Sequence, residues 1–147
     1  MGGDHQVTVR KIIAENQYMT LATSDGDRPW GAPVQFCCDE NLDSYLVSLP
    51  TSLHAQHIAE NPTVAMAIFD SRQPPFTGRG LQVDGIAAVY SEQENPFATV
   101  GGLDMPVDLQ ALVPGYVAYK VQAQRFYVPR AHLEGVLRDE RVEVQMT

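Results

Sequence analysis

The chain has 147 residues, with 18 acidic and 10 basic side chains and a formal net charge of −8. That length fits one domain, and a composition of 44% hydrophobic and 19% charged residues is that of a globular chain with a real core, which excludes a disordered tail. The acidic balance excludes non-specific binding to nucleic acid or to anionic lipid, since both need clustered Lys and Arg, and Lys11 and Lys120 are the only lysines.

In chain order, Thr8 is a candidate N-cap for a helix whose apolar positions Val9, Ile12 and Ile13 share one face, with Asn16 ending it. Tyr18–Ser24 reads as a strand, Asp25-Gly26-Asp27 as a turn, Trp30–Cys38 as a second strand, Asp39-Glu40-Asn41 as another turn, and Leu42–Leu49 as a third strand. Pro50-Thr51-Ser52 breaks that strand and opens a helix over Leu53–Glu60. Ser52 is its N-cap, Ala55, Ile58 and Ala59 form its buried stripe, and Asn61-Pro62 stops it. Thr63–Phe69 is an almost continuous apolar run, which predicts a strand covered on both faces.

Asp70–Gly80 holds two prolines and two glycines and is a loop, followed by a strand over Leu81–Tyr90 with Gly85 as a bulge or point of close approach. Ser91–Pro114 is polar and interrupted, and predicts one or two short helices, the second capped by Asp104. Tyr116–Tyr127 alternates as a long strand, and a short helix is placed around His132–Leu137. The sum is about six strands with a few inserted helices, which predicts a mainly β, small antiparallel barrel. No apolar run approaches the roughly 20 residues of a membrane-spanning helix. MGGDHQVTVRK lacks the order of a secretory signal. Cys37 and Cys38 are adjacent, point to opposite faces of a strand and do not bridge each other. The expectation is a cytoplasmic protein of one domain over residues 1–147, with its core from about residue 8 to 128.

Two segments can carry chemistry. The first is Ser48-Leu49-Pro50-Thr51-Ser52-Leu53-His54, where a strand runs into a helix start. Free amides and the positive end of the helix dipole suit a phosphate there, with hydroxyls from Thr51 and Ser52 and imidazoles from His54 and His57. An ordinary capped helix with two surface histidines accounts for the same residues. His54 and His57 also have metal-ligand spacing, but no third ligand is evident, so no metal is assigned. The second segment is Arg79-Gly80-Leu81-Gln82-Val83-Asp84-Gly85, where Arg79 enters a strand beside a glycine and Gln82 offers an amide donor and acceptor to an imide-like ring edge. The outward face of an alternating strand explains it equally well. No GxGxxG, Walker-type loop, GxSxG or CxxC occurs.

In order and spacing, YMTLATSDGDRPWGAPVQF, SLPTSLHAQHIAENPTVAMAIF and RGLQVDGIAAVYSEQE resemble the pyridoxamine 5′-phosphate oxidase-like, FMN-binding split-barrel superfamily, and within it an uncharacterised bacterial subgroup. The resemblance runs from Tyr18 to about Val128. It implies an antiparallel split barrel and a homodimer with FMN at the subunit interface. It places the flavin ring against Ala32, Pro33, Val34 and Gln35, with Val47 and Ser48 lining the cofactor and the phosphate at Thr51, Ser52 and His54. His57 at the helix start and Arg79 and Gln82 in the second segment join the candidate cofactor set on their residue chemistry, and the activity the resemblance implies is that of an oxidoreductase acting on a small molecule.

The sequence also departs from that pattern. Leu53-His54 stands where the oxidases place Arg-Lys, Ala32 and Cys37 stand where the second strand carries Arg and Lys, and Gly80 stands where they carry a flavin-contacting Gln. Their substrate segment with Trp and Arg has no counterpart after Val128. Oxidation of vitamin B6 is therefore not expected. The alternatives are a haem- or deazaflavin-binding protein of the same fold, with His54, His57 or His132 as an axial haem ligand, and a structural or regulatory dimer without cofactor. No catalytic acid or base is assigned; His54, His57 and Tyr18 are candidates by residue type alone.

Overall fold

The computed structural model describes residues 2–76, 79–129 and 140–147. Helix α1 (Gly2–Glu15) is followed by β1 (Tyr18–Ser24), β2 (Pro29–Gln35), β3 (Cys37–Cys38), β4 (Ser44–Ser48), α2 (Leu53–Glu60), β5 (Thr63–Phe69) and β6 (Gly80–Ser91). The short helices α3 (Pro96–Thr99) and α4 (Leu109–Leu112) then lead to β7 (Val117–Pro129) and β8 (Arg141–Val144). The strands form one antiparallel sheet in the order β2-β1-β5-β6-β7-β4-β3, with β8 also paired to β7. The expected split barrel is present, with eight strands rather than six and without hydrogen-bonded closure.

The difference in strand count has two sources. The expected strand over Trp30–Cys38 divides at Phe36, whose amide donates to the Gln17 carbonyl at 3.0 Å while its ring is buried. On one side of that corner β2 pairs with β1; on the other, β3 pairs with β4. The two ends of the sheet path are thus consecutive in sequence, which curls the sheet and leaves its seam unpaired. The other added strand is β8, where Arg141-Val142-Glu143-Val144 alternates against β7.

Three further expectations change. Helix α1 starts at Gly2, so Thr8 lies inside it, because no proline or other breaker between residues 4 and 7 halts the helix. Within the single chain, β5 is buried on one face: Val64, Met66 and Ile68 face the core, while Thr63, Ala65 and Phe69 are exposed. Asp104 caps nothing; the caps are Asn95 on α3 and Asp108 on α4, each accepting the amide two residues on at 3.1 Å. The expected helix around His132–Leu137 lies outside the described residues. Among those described, no helix is long and apolar enough to cross a membrane.

The core lies between the inner face of the sheet and α1 and α2. Leu21, Leu46, Ile68, Leu81 and Val121 are its most buried members, joined by Val9 and Ile12 from α1 and Ala55 and Ile58 from α2. Gly85 is the close-approach point expected of it. The β6–β7 register shifts between Asp84 and Gly85, and a Cβ at position 85 would stand 2.5 Å from the Gln122 carbonyl oxygen and 2.8 Å from Val121 Cγ1. Backbone cannot retreat as a flexible side chain can. Gly85→Ala is predicted to cost about 2–3 kcal/mol, read as a lower urea midpoint at unchanged slope. An unaltered midpoint would mean that β7 moves aside freely.

Candidate functional site

The last residue of β4, the Pro50-Thr51-Ser52 turn and the first turn of α2 form one cluster. Ser52 is extended (φ −65°, ψ 151°), and its hydroxyl donates to the Leu49 carbonyl at 2.8 Å and accepts from the Ala55 amide at 3.4 Å. The Leu53 and His54 amides stand in the first turn, where a helix offers no internal acceptor. His54 Nε2 lies 2.7 Å from Ser48 Oγ and 3.3 Å from Ser52 Oγ, so one imidazole ties strand end, cap and helix together. Ser48 is buried, Val47 is half-buried and Thr51 is exposed. Thr51's carbonyl accepts from Gln56 Nε2 at 3.0 Å. This end of α2 therefore presents amides, hydroxyls and one imidazole, and no lysine or arginine.

His57 is not a surface histidine. It is 3% exposed, and its Nδ1 lies 2.9 Å from the buried Thr23 Oγ1 of β1. Its Nε2 is buried and has no hydrogen-bond partner. Ala59, expected in the buried stripe, is exposed; His57 takes that position beside Ala55 and Ile58. The two imidazoles one turn apart therefore act differently: His57 fastens α2 to the inner face of β1, and His54 stands at the rim. Burial, and next the neighbouring His57, hold the His54 pKa below the ordinary 6.5. Thr23 went unnoticed in the sequence. Its signal was a hydroxyl on the same alternation as Met19 and Leu21, a buried polar group that needs a partner.

On β2, the residues expected beside a flavin ring alternate. Ala32 and Val34 are buried in the core, whereas Pro33 and Gln35 face outward, so only the latter two offer side chains on the outer face. Strand register carries one row across that face: Pro33 opposite Thr20, Thr20 opposite Ala67, Ala67 opposite Gln82, and Gln82 opposite Tyr127. Gln82 shares the face with Pro33 but stands three strands away. Its amide is not free for both halves of an imide edge, because Gln82 Oε1 accepts from Arg141 Nε at 2.7 Å.

Arg79 lies at the Phe69–Gly80 end of the β5–β6 pair, whereas α2 feeds β5 at the Thr63–Ile86 end. Within one chain it does not join the α2 cluster. Among the described residues, no three His, Cys, Asp or Glu side chains converge as metal ligands. The cysteines are half-buried and unpaired, with Cys37 Sγ donating to the Pro96 carbonyl at 3.6 Å. Burial pushes both thiols up to about 11, which leaves them protonated and unreactive at neutral pH.

These features define a class: an open antiparallel split barrel with a polar, hydroxyl-lined helix start at one end of its sheet. A sequence model of the pyridoxamine 5′-phosphate oxidase family matches residues 7–127, and the chain belongs to that family. Comparison with curated proteins finds no match. Among solved structures, the chain is similar to General Stress Protein 26 from Bacillus anthracis (TM-score 0.62, 20% identity, 97% of this chain and 98% of that one). It is also similar to HutZ, the heme storage protein of Vibrio cholerae (TM-score 0.64, 15% identity, 84% and 93%). A third is a FAD-binding protein from Mesorhizobium loti (TM-score 0.63, 15% identity, 82% and 90%). At these identities the likeness is one of fold.

The depressed His54 pKa has a consequence for stability. The unfolded chain takes up this proton near 6.5, and the folded chain only at lower pH. Its contribution is thus complete above 6.5 and is lost as pH falls through the folded value. Between about pH 7 and pH 5 the native chain should lose more stability than His54→Gln, measured by urea unfolding at each pH. Identical pH dependence would contradict the assignment.

Proposed function

We propose that this chain is a flavin-binding protein that holds FMN by its phosphate at the start of α2 and serves as an oxidoreductase toward a small molecule. The observation that carries the reading is the convergence of Ser48, Ser52 and His54 on the first-turn amides of α2. Amides, hydroxyls and an imidazole N–H are donors suited to phosphate oxygens, and the helix dipole adds its positive end. Thr51 and Val47 border the same cluster. The ring would lie along the outward side of β2, against Pro33 and Gln35. When bound, FMN supplies the electron-transfer chemistry; the protein's share is binding, orientation and exclusion of water.

The fold adds support for a homodimer. Strand β5 leaves Ala65 and Phe69 exposed beside Gln82, an extended face that a second copy would cover. We place the whole of residues 1–147 in one such domain and, given two unpaired thiols, in the reducing cytoplasm. Haem is the second reading, favoured by the heme-storage role named for the similar HutZ. Against it, His57 is closed in the core on Thr23, and His54 already engages Ser48.

The test is the visible spectrum of the purified chain and the fluorescence of added FMN. Flavin bands, or saturable quenching, are expected. Ser52→Asp, which sets a negative charge at the phosphate and keeps a capping oxygen, should weaken FMN binding by about tenfold or more. A Soret band without flavin bands would favour haem, and unaltered affinity in Ser52→Asp would remove the phosphate from this helix.

A further inference from the structure

The cluster at the start of α2 has one group that can change its charge near neutral pH. His54 Nε2 lies 2.7 Å from Ser48 Oγ and 3.3 Å from Ser52 Oγ. Ser52 has one hydroxyl proton, and gives it to the Leu49 carbonyl at 2.8 Å. Toward His54 the Ser52 oxygen therefore accepts, which sets the ring proton on Nε2 and leaves Nδ1 as the basic nitrogen. Among the described residues, that Nδ1 makes no hydrogen bond.

The charged groups near the ring are few, and their bonds lie elsewhere. The first turn of α2 has no acidic residue, Glu60 stands at the far end of the helix, and His57 is closed on Thr23 of β1. From β4 comes Ser48, a neutral hydroxyl. After β1, Asp25 acts electrostatically on His57 and spends its Oδ1 on the amides of Asp27 and Arg28. Before β2, Arg28 stands over the Trp30 ring. On β6, Asp84 is held by Arg125 at 2.8 Å, and the Tyr90 hydroxyl donates to Glu94. Left to itself the His54 ring is half-buried, and burial, then His57, favour its neutral form.

A phosphate at this helix start reverses that preference. Its two negative charges arrive in a cluster with no permanent cation, and an opposite charge within hydrogen-bond reach raises an imidazole's pKa by about 1–3. A lysine at position 54 would carry its charge with or without the phosphate, whereas an imidazole gains it when the phosphate arrives.

We propose that FMN binding takes up one proton at His54, so that the cofactor is held more tightly as pH falls toward neutral; this rests on the phosphate standing at the start of α2. The balance is FMN dianion, chain with neutral His54 and one proton from solvent, giving a complex in which the proton sits on His54 Nδ1 and the imidazolium offsets one phosphate charge.

The test uses the full chain with FMN and riboflavin as probes. At about pH 7.5 a free phosphate ester is mostly dianionic, its second ionisation falling near pH 6, so protons taken up there belong to the complex. Calorimetric titrations in Hepes and in Tris, whose heats of ionisation differ, count those protons: a large fraction of one is expected with FMN, and none with riboflavin. From about pH 8 to pH 7, FMN affinity should rise by about threefold to tenfold, tenfold being the limit for one proton, while riboflavin affinity stays level. His54→Lys should bind FMN tightly at both pH values without proton uptake, and His54→Gln should bind it weakly without uptake; circular dichroism checks both folds. A purely structural role for His54 gives no such rescue by lysine. FMN bound more tightly than riboflavin, but with no proton uptake and equal affinity at both pH values, overturns the proposal and leaves the phosphate at α2. Uptake that persists in His54→Gln also overturns it, by putting the proton on the phosphate. Equal affinity for FMN and riboflavin, or no binding of either, removes the cofactor reading and the proposal with it.

Discussion

Where β6 passes β7, the Gln122 carbonyl oxygen occupies space that any side chain at position 85 would need. The crossing is open to glycine alone, and the architecture on both sides follows from it. β6 joins the β1–β2–β5 half of the sheet to β7, and β7 in turn carries β4 and β8. The shift at Gly85 leaves Gln124 as an extra residue on β7, and such a bulge bends the strand it interrupts. Past that bend β7 pairs with β4 from Ser44 to Ser48, which brings Ser48 to the start of α2. A change of register here would displace the helix start and reassign the outer rows of the sheet.

Two imidazoles then fix α2 at its two depths. His57 reaches inward to Thr23 on β1, and His54 bonds sideways to Ser48 on β4. With both anchored, the first-turn amides keep a set position at the rim. A buried histidine whose Nε2 has no hydrogen-bond partner carries a desolvation cost. Acidity shapes the rim as well. Leu53 and His54 supply no permanent cation, and burial favours the neutral form of His54. In the cofactor reading, a phosphate there depends on dipole, hydroxyls and amides, and each of these acts only in correct geometry.

Much of the fold was legible because its signals are local. Alternation in Tyr18–Ser24 and Tyr116–Tyr127, the Ser52 cap, the Asn61-Pro62 stop and the interruption at Gly85 each specify a strand, helix or bulge without reference to the rest of the chain. What the sequence hid depends on partners distant along it. Phe36 turns a corner because Gln17 accepts its amide. β8 forms because β7 offers an edge. The apolar run Thr63–Phe69 read as doubly covered because alanine is small enough to sit on either face of a sheet. The candidate site divided in the same way: the α2 cluster was visible as a contiguous motif, whereas Thr23 beneath His57 and Arg141 beside Gln82 come from strands far away in sequence.

The central claim is that the start of α2 anchors a flavin through its phosphate. Its most direct measurement compares FMN with riboflavin, which carries the same ring and ribityl chain without the phosphate, by fluorescence titration of the full chain. The account predicts that FMN binds about 100-fold more tightly, the worth of two charge-assisted hydrogen bonds. Equal affinity for the two, or no binding of either, would contradict it.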